Sequence, residues 1–410
     1  MSDVLFVHNN FPAQFGFIAE KLHSEGHRVA AIASETGRQT FDGLTLVKWG
    51  TRRGTTEGIL PAAVRAEADL IRGAAAAQAA LKLQAEGFNP ALIVGHPGWG
   101  ETTYMREIFP AARQIAYAEY YYRSRGGDVG FDPEFSPPRE RDPHELYAKN
   151  AGMAMAFAEA DAIVSPTPFQ ASVLPEVFRQ RTHIIHEGVD TAVIKRHPSP
   201  KLTMGNGKVI DGSRPLVTLI NRRFEPLRGF HIFVRALPKL MAAVPDVDVV
   251  VIGADEEGGY GKPAEKGSTW GQRLFGEVAN RVDRERIHFV GRVPHSLMIE
   301  TLSLSSAHVY YTYPFVMSWS LLEAMATECL VLGSDTPPVR DAITHGVDGI
   351  LNDFFDVDAL ADAMIEACRN PQKFADMRKA ARETVLRNWD RATIHQPAWL
   401  NLVEPMLERR

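Results

Sequence analysis

Short apolar runs alternate with longer amphipathic stretches along almost the whole chain. Residues 3–8, 27–33, 91–94, 114–118, 162–165 and 183–186 are apolar enough and short enough to be strands. Between them, 17–25, 61–86, 144–160 and 167–177 carry apolar residues at helical spacing. The first helix stops at Gly26 and the alanine-rich second at Gly87, both in C-cap position. After a polar stretch the alternation starts again. Strands are expected at 216–220, 248–252, 287–290, 309–313, 329–332 and 349–352, with helices ending near Ala243 and covering 270–282, 296–305, 357–390 and 393–410. Strand–helix–strand order predicts right-handed βαβ units and an α/β fold.

The polar stretch is KRHPSPKLTMGNGKVIDGSR, residues 195–214, whose Pro and Gly suit a linker with a small hairpin. The expected organisation is therefore a first domain over 1–195, a linker over 196–214 and a second domain over 215–390. A terminal helix over 391–410 follows.

Length and composition narrow the possibilities. A chain of 410 residues suits more than one domain, and 45% apolar residues with a net charge of −5 suit an ordinary globular protein, not a nucleic-acid surface. Cys329 and Cys368 lie in apolar contexts, which favours a reducing cytosol over disulfides or a zinc site. The N-terminus, MSDVLFVHNNF, reads as a first strand and not as a signal peptide. No run of eighteen apolar residues occurs, so no membrane span is expected. A cytoplasmic protein follows, with peripheral contact at the inner membrane left open. The loop NNFPAQFG lacks G-x-G-x-x-G, so no dinucleotide cofactor is expected, although Gly16 lets the backbone approach a ligand.

Chemistry gathers at a few loops. The stretch Val309–Val331 reads strand, loop, helix, strand, and its loop falls at the carboxyl end of a strand, where open α/β sheets bind ligands. Glu323 is the single acid near that helix start, either a ribose or sugar ligand or a plain N-terminal glutamate. Arg223 and Arg228 flank the turn after another strand and suit a diphosphate clamp; solvated surface arginines are the alternative. Gly95-His-Pro-Gly-Trp-Gly100 places His96 and Trp99 beyond a strand, as a sugar-binding lip or a tight turn with a structural Trp. The aromatic and arginine-rich segment 120–141 suits acceptor recognition, an oligomer contact or a lid. Asp246-Val-Asp248 and Asp356-Val-Asp358 stand away from the expected crevice, and no metal site is expected.

Four motifs, GVD at 188–190, NRRFEPLRGF at 221–230, GRVP at 291–294 and SWSLLEAMATECLVLGSD at 318–335, resemble the family 4 retaining glycosyltransferases of GT-B fold. The resemblance implies two Rossmann-like domains facing across a cleft and a last helix that crosses back to the first domain. It further implies a hexosyltransferase that is metal-independent, has no cofactor and uses a nucleoside-diphosphate sugar donor. A glycan or lipid-linked acceptor and a role in polysaccharide biosynthesis would follow. Carried over, Arg223 and Arg228 fall on the diphosphate, Arg292 and Val293 on the base-contacting loop, and Glu323 on the ribose. The family's other Glu falls on Phe315, so Met317, Ser318, Trp319 and Ser320 are the expected substitutes near the sugar. The family's histidine near the anomeric centre falls on Glu119, with His96 able to supply the imidazole. A nucleotide-sugar epimerase or hydrolase, or a catalytically silent nucleotide-sugar binder, remain the alternatives.

Overall fold

In the computed structural model, which describes residues 1–140, 142–205 and 207–407, the apolar runs become the strands of two parallel sheets. Residues 1–125, 138–188 and those from 391 onward form one compact unit, and residues 126–137 with 189–390 form another. Residue 206 of the expected linker, Arg141 of the aromatic segment and 408–410 of the expected last helix lie outside the described residues.

The first unit runs β1 (Asp3–Val7), α1 (Gly16–Ser24), β2 (Arg28–Ala33), β3 (Thr45–Lys48), α2 (Val64–Ala85), β4 (Pro90–Gly95), α3 (Met105–Ile108), β5 (Arg113–Tyr117), α4 (Asp142–Glu159), β6 (Ala162–Ser165), α5 (Pro168–Ser172), α6 (Glu176–Arg179) and β7 (Thr182–Ile184). All strands are parallel, in the order β3-β2-β1-β4-β5-β6-β7. Val4–Val7 of β1 are fully buried, as a central strand between two helical layers must be. One layer brings Ile18 and Leu22 of α1 together with Trp399 and Val403 of the chain's last helix, Gln396–Val403. The other brings Ala76, Ala80 and Leu83 of α2 against Met105. The helix expected over 167–177 is interrupted: α5 ends at Ser172, and α6 starts only after Pro175, which lacks an N–H and keeps its predecessor out of helical geometry.

In the second unit an antiparallel hairpin, β8 (Leu202–Thr203) and β9 (Val209–Ile210), forms within the expected linker. Then come β10 (Leu216–Arg223), α7 (Phe230–Ala243), β11 (Asp248–Ala254), α8 (Trp270–Gly276), β12 (Ile287–Gly291), α9 (His295–Leu304), β13 (Ala307–Tyr310), α10 (Trp319–Ala326), β14 (Val331–Ser334), α11 (Pro337–Arg340), β15 (Ile350–Asn352), α12 (Val357–Arg369) and α13 (Ala375–Asn388). The sheet is again parallel, in the order β12-β11-β10-β13-β14-β15. Leu321 and Met325 of α10 pack with Val385 of α13. Three expectations change. Helix α8 stops at Gly276, a poor helix former, and does not reach Val282. Strand β13 ends at Tyr310, so 311–318 is loop. Helix α10 begins at Trp319, which puts Glu323 in its second turn and not its first.

Segment 126–137 leaves the first unit between β5 and α4 and packs wholly within the second. Its buried Asp132 accepts hydrogen bonds from Tyr313 Oη at 2.5 Å and from the Glu134 and Phe135 amides at 2.8 and 3.1 Å. His231 Nε2 lies 3.2 Å from the same carboxylate. Burial alone would raise this carboxyl; His231, Tyr313 and the amides outweigh it and bring the group to about 2. Phe131 packs on Tyr313, Phe354 and Phe355, and Glu134 takes both ends of the Arg235 guanidinium at 2.8 Å.

Candidate active site

In each sheet the strand order reverses beside its first strand, between β1 and β4 and between β10 and β13. Crevices outside the carboxyl ends of such strands are where open α/β sheets hold ligands. The predicted site residues gather at these two places.

In the first unit, Val7 of β1 pairs with Gly95 of β4, so the next residues, His8 and His96, come side by side. Their ring centroids are 5.2 Å apart, and Trp99 stacks on His96 at 4.4 Å. Gly100 closes the turn with φ +93°; a Cβ there would meet the Asp69 carbonyl at 2.2 Å, so only glycine fits. His8 Nδ1 accepts the Asn10 amide at 2.9 Å and His96 Nδ1 the Gly98 amide at 3.1 Å. Both rings, when neutral, therefore carry their proton on Nε2. Neither Nε2 has a hydrogen-bond partner among the described residues. Burial, reinforced by the neighbouring His96, holds His8 well below the usual imidazole range. Glu119 stands two residues past β5, with Oε2 3.4 Å from His96 Nε2. Gln14 donates to its Oε1 at 2.9 Å and Gln170 to its backbone carbonyl at 2.6 Å. The structure thus brings His96 and Glu119 together. Sequence reasoning missed His8 and Gln14; the signal was available for His8, which ends its strand as His96 does. Gly16 opens α1 with an ordinary φ of −55° and a Cβ position 3.0 Å from Pro12 Cβ, so its smallness is explained by packing.

In the second unit, Arg223 is the last residue of β10 and not a loop residue. Its guanidinium lies 3.5 Å from Glu256 Oε2, which Arg292 also contacts at 2.7 Å. Arg228 ends a 3₁₀ turn over Pro226–Arg228 and is buried, which removes the solvated-surface alternative. Its Nη1 donates to Thr312 Oγ1 and to the Val316 carbonyl, both at 2.9 Å, so it holds the loop between β13 and α10. The Phe315 and Tyr260 rings lie 5.7 and 5.8 Å from the same guanidinium and 4.9 Å from each other. The Tyr260 amide donates to the buried Glu225 carboxylate at 2.7 Å. Burial pushes Glu225 up to about 7, against the pull of that amide and the nearby arginines. Ser318 donates its amide to Tyr310 Oη at 2.6 Å, and the Ser318 and Ser320 hydroxyls are 3.1 Å apart. Met317 and Ser320 are buried, Trp319 is exposed, and Val293 packs against the β8–β9 hairpin cluster. Glu323 accepts from or pairs with His295 Nε2 at 2.7 Å, and that pairing raises the His295 pKa.

Asp248 is engaged by Lys208 at 2.6 Å and His288 at 3.0 Å, and Asp356 caps α12. Among the described residues no helix is long and apolar enough to cross a membrane.

Solved structures share this architecture over nearly their full length. Sucrose-phosphate synthase from Thermosynechococcus elongatus matches with TM-score 0.73 at 16% identity, covering 99% of both chains. The HepE protein of Anabaena, solved with UDP-glucose, matches with TM-score 0.70 at 14% identity, covering 98% of this chain and 100% of its own. Two α/β units of this topology define the GT-B glycosyltransferase fold. Residues 25–194 match the family model of the glycosyl transferase family 4 group and residues 208–384 that of the glycosyl transferases group 1. The chain belongs to the family 4, group 1 glycosyltransferases. A phosphatidyl-myo-inositol mannosyltransferase of Propionibacterium freudenreichii is 26% identical over 61% of this chain and 63% of its own length. Its counterpart in Mycolicibacterium smegmatis is 29% identical over 42% and 40%. This chain thus spans under two thirds of these curated relatives.

Proposed function

We propose that the protein transfers a sugar from a nucleoside-diphosphate donor to an acceptor hydroxyl, with retention at the anomeric carbon and without a metal ion. The observation that carries this reading is the cationic switch point of the second unit. There Arg223 and Arg292 share Glu256 of the loop after β11, Arg228 holds Thr312 and Val316 of the loop after β13, and the two loops meet where Tyr260 packs on Phe315 beside Arg228. Guanidiniums fixed in a partly desolvated site stabilise charge that develops on a departing diphosphate, the work a divalent cation does elsewhere. Glu323 would take the ribose hydroxyls, and the Ser318–Ser320 hydroxyls would stand in for the carboxylate replaced by Phe315. In the first unit two Nε2–H groups, on His8 and His96, can donate to hydroxyl oxygens, with Glu119 accepting from a hydroxyl. In a front-face displacement the leaving phosphate oxygen takes the acceptor proton, so the protein's part is position and electrostatics. The names of the mannosyltransferase relatives support a lipid-linked acceptor, and with it contact at a membrane surface. The UDP-glucose bound by HepE supports a nucleotide-sugar donor.

The test is nucleoside-diphosphate release from UDP-glucose and GDP-mannose, with and without phosphatidylinositol, in buffer and in EDTA. Proton NMR of the product's anomeric signal completes it. Release that needs acceptor, survives EDTA and keeps the donor's anomeric configuration is expected. An inverted product overturns retention, loss in EDTA overturns metal independence, and release independent of every acceptor makes the protein a hydrolase.

A further inference from the structure

The first unit has a second concave feature, beyond the imidazole pair. An open cleft of about 340 Å³ is lined by the segment Tyr121–Arg125, by Pro143, Leu146, Tyr147 and Asn150 at and in α4, and by Pro175. That volume lies in the range of small-molecule sites. We propose that it is a saccharide subsite, holding a sugar unit of the acceptor one step beyond the unit that reacts; the inference rests on the transferase reading above.

The walls are fixed in advance. Asn150 of α4 holds the Tyr122 backbone from both sides, donating to its carbonyl at 2.8 Å and accepting from its amide at 3.1 Å. Arg123 donates to the carbonyls of Val173, Ser172 and Leu174 at 2.6, 2.8 and 3.1 Å, tying the segment to the end of α5. The lining is aromatic with polar tips. Tyr121, Tyr122 and Tyr147 all contribute, and Tyr147 is 82% exposed, an unusual state for a tyrosine that has no ligand to meet. Rigid rings of this kind supply contact area at little cost in side-chain entropy, and their hydroxyls supply hydrogen bonds at the rim.

The charges decide between a sugar and an anion. Arg123 is committed through Nε and Nη2 to the three carbonyls, and the Lys149 ammonium sits 3.2 Å above the Tyr122 ring. Among the described residues, Arg125 is then the cation of the lining for which no hydrogen bond or ion pair is found. One exposed guanidinium among three phenol rings fits the apolar faces and equatorial hydroxyls of a pyranose better than a phosphate. The position fits as well. Tyr121 lies two residues after Glu119 on the same segment, and two residues of extended chain reach at most about 7 Å. The subsite is therefore built on the same chain segment that carries Glu119.

The test uses the full chain and saturation-transfer NMR with α-mannotriose, maltotriose, cellotriose and N-acetylchitotriose, with thermal shifts by UDP-glucose and GDP-mannose run in parallel. One or more trisaccharides should bind, and Tyr147→Ala should weaken that binding roughly tenfold. Because Tyr147 is exposed, this variant should keep its fold, and its donor shift should not change. In turnover it should raise the acceptor KM with kcat and donor KM unchanged. The proposal is overturned by no transfer from any trisaccharide, by equal binding to Tyr147→Ala, or by binding of inorganic phosphate that Arg125→Ala abolishes. Absent donor shifts would instead count against the transferase reading, so the two failures are separable.

Discussion

At the ends of β1 and β4 the chain places two imidazoles; at the end of β10, in the turn that follows it and just past β12 it places guanidiniums. The two sheets reverse strand order in the same way, so the backbone presents two equivalent crevices and the side chains alone make them different. The first is desolvated and poor in charge. His8 is held neutral there, and the nearby Glu101 is fully buried with neither carboxylate oxygen partnered among the described residues. The second is rich in charge and carefully compensated. Arg223 and Arg292 share Glu256, and Glu225 lies buried beneath Arg228 and Tyr260. This is the division expected if one crevice handles neutral hydroxyls and the other a diphosphate: neutral donors suffice for the first, and only fixed cations stabilise the charge released in the second.

The sharpest way to break this comparison is to remove a cation. Arg228→Ala should lower kcat/KM by roughly 2–4 kcal/mol of transition-state stabilisation, on the scale of losing one oxyanion donor. Because Arg228 also holds Thr312 and Val316, the variant should lose thermal stability too. Arg228→Lys separates the parts, keeping charge but not the two-point grip. Turnover unchanged in Arg228→Ala would take Arg228 out of the diphosphate site and leave that role to Arg223 and Arg292.

The uncompensated acid of the first crevice gives the next effect. Burial pushes Glu101 from 4.5 up to about 7. A raised carboxyl means the folded state holds its proton more tightly than the unfolded one. Stability contributed by this group is thus present at low pH and is lost as pH rises from 4.5 to 7, amounting to roughly 3 kcal/mol above that window. Glu101→Gln cannot titrate. Its stability relative to the parent protein, read from urea unfolding, should therefore improve by about that amount between pH 4.5 and 8. A difference independent of pH would mean that the carboxylate is solvated or paired.

Much of this contrast could be read before the fold. Buried parallel strands announce themselves as continuous apolar runs, and the strand ends, turns and helix starts beyond them carry Arg223, Arg228, His96 and Glu323 in plain view. What escaped depends on distant partners. Segment 126–137 looks like an isolated proline-rich loop because its anchors, His231, Arg235 and Tyr313, lie about a hundred residues or more further along. Glu323 was placed a turn too early because the helix begins at Trp319, two residues ahead of the apolar run at Leu321, and not with that run. Helix α8 fell short because local periodicity past Gly276 is satisfied by a buried Val278 in turns, not in helix.

A smaller effect should come from Glu256, which stands between two arginines of the proposed diphosphate site. A partly exposed carboxylate there competes with phosphate oxygens, so Glu256→Gln should tighten donor binding a few-fold, on the scale of about 0.5–1 kcal/mol for exposed pairs. The gain should shrink with added salt. Weaker binding, measured by calorimetry, would make Glu256 an organiser of the arginines and not their stand-in partner.

The smallest effect concerns the proposed ribose end of the donor site, where His295 and Glu323 are paired at 2.7 Å. Glu323 raises the His295 pKa above its ordinary value, so the charged pair persists to a higher pH than a free imidazole would allow. The stability it contributes is complete below 6.5 and disappears as pH rises through the raised folded value. His295 is more than half exposed, so water weakens the pair and the energy at stake is small. Its consequence for binding has the opposite sign. A protonated His295 occupies the carboxylate that the ribose hydroxyls would use, and deprotonation releases it. Donor affinity should therefore rise a few-fold between pH 6 and pH 8 in the parent protein. In His295→Ala it should already be at the higher level at pH 6 and should change little. If affinity instead falls in that variant at every pH, His295 is holding Glu323 in position for the ribose. The charge-poor and charge-rich crevices would then share one device, an imidazole set beside a carboxylate to orient it.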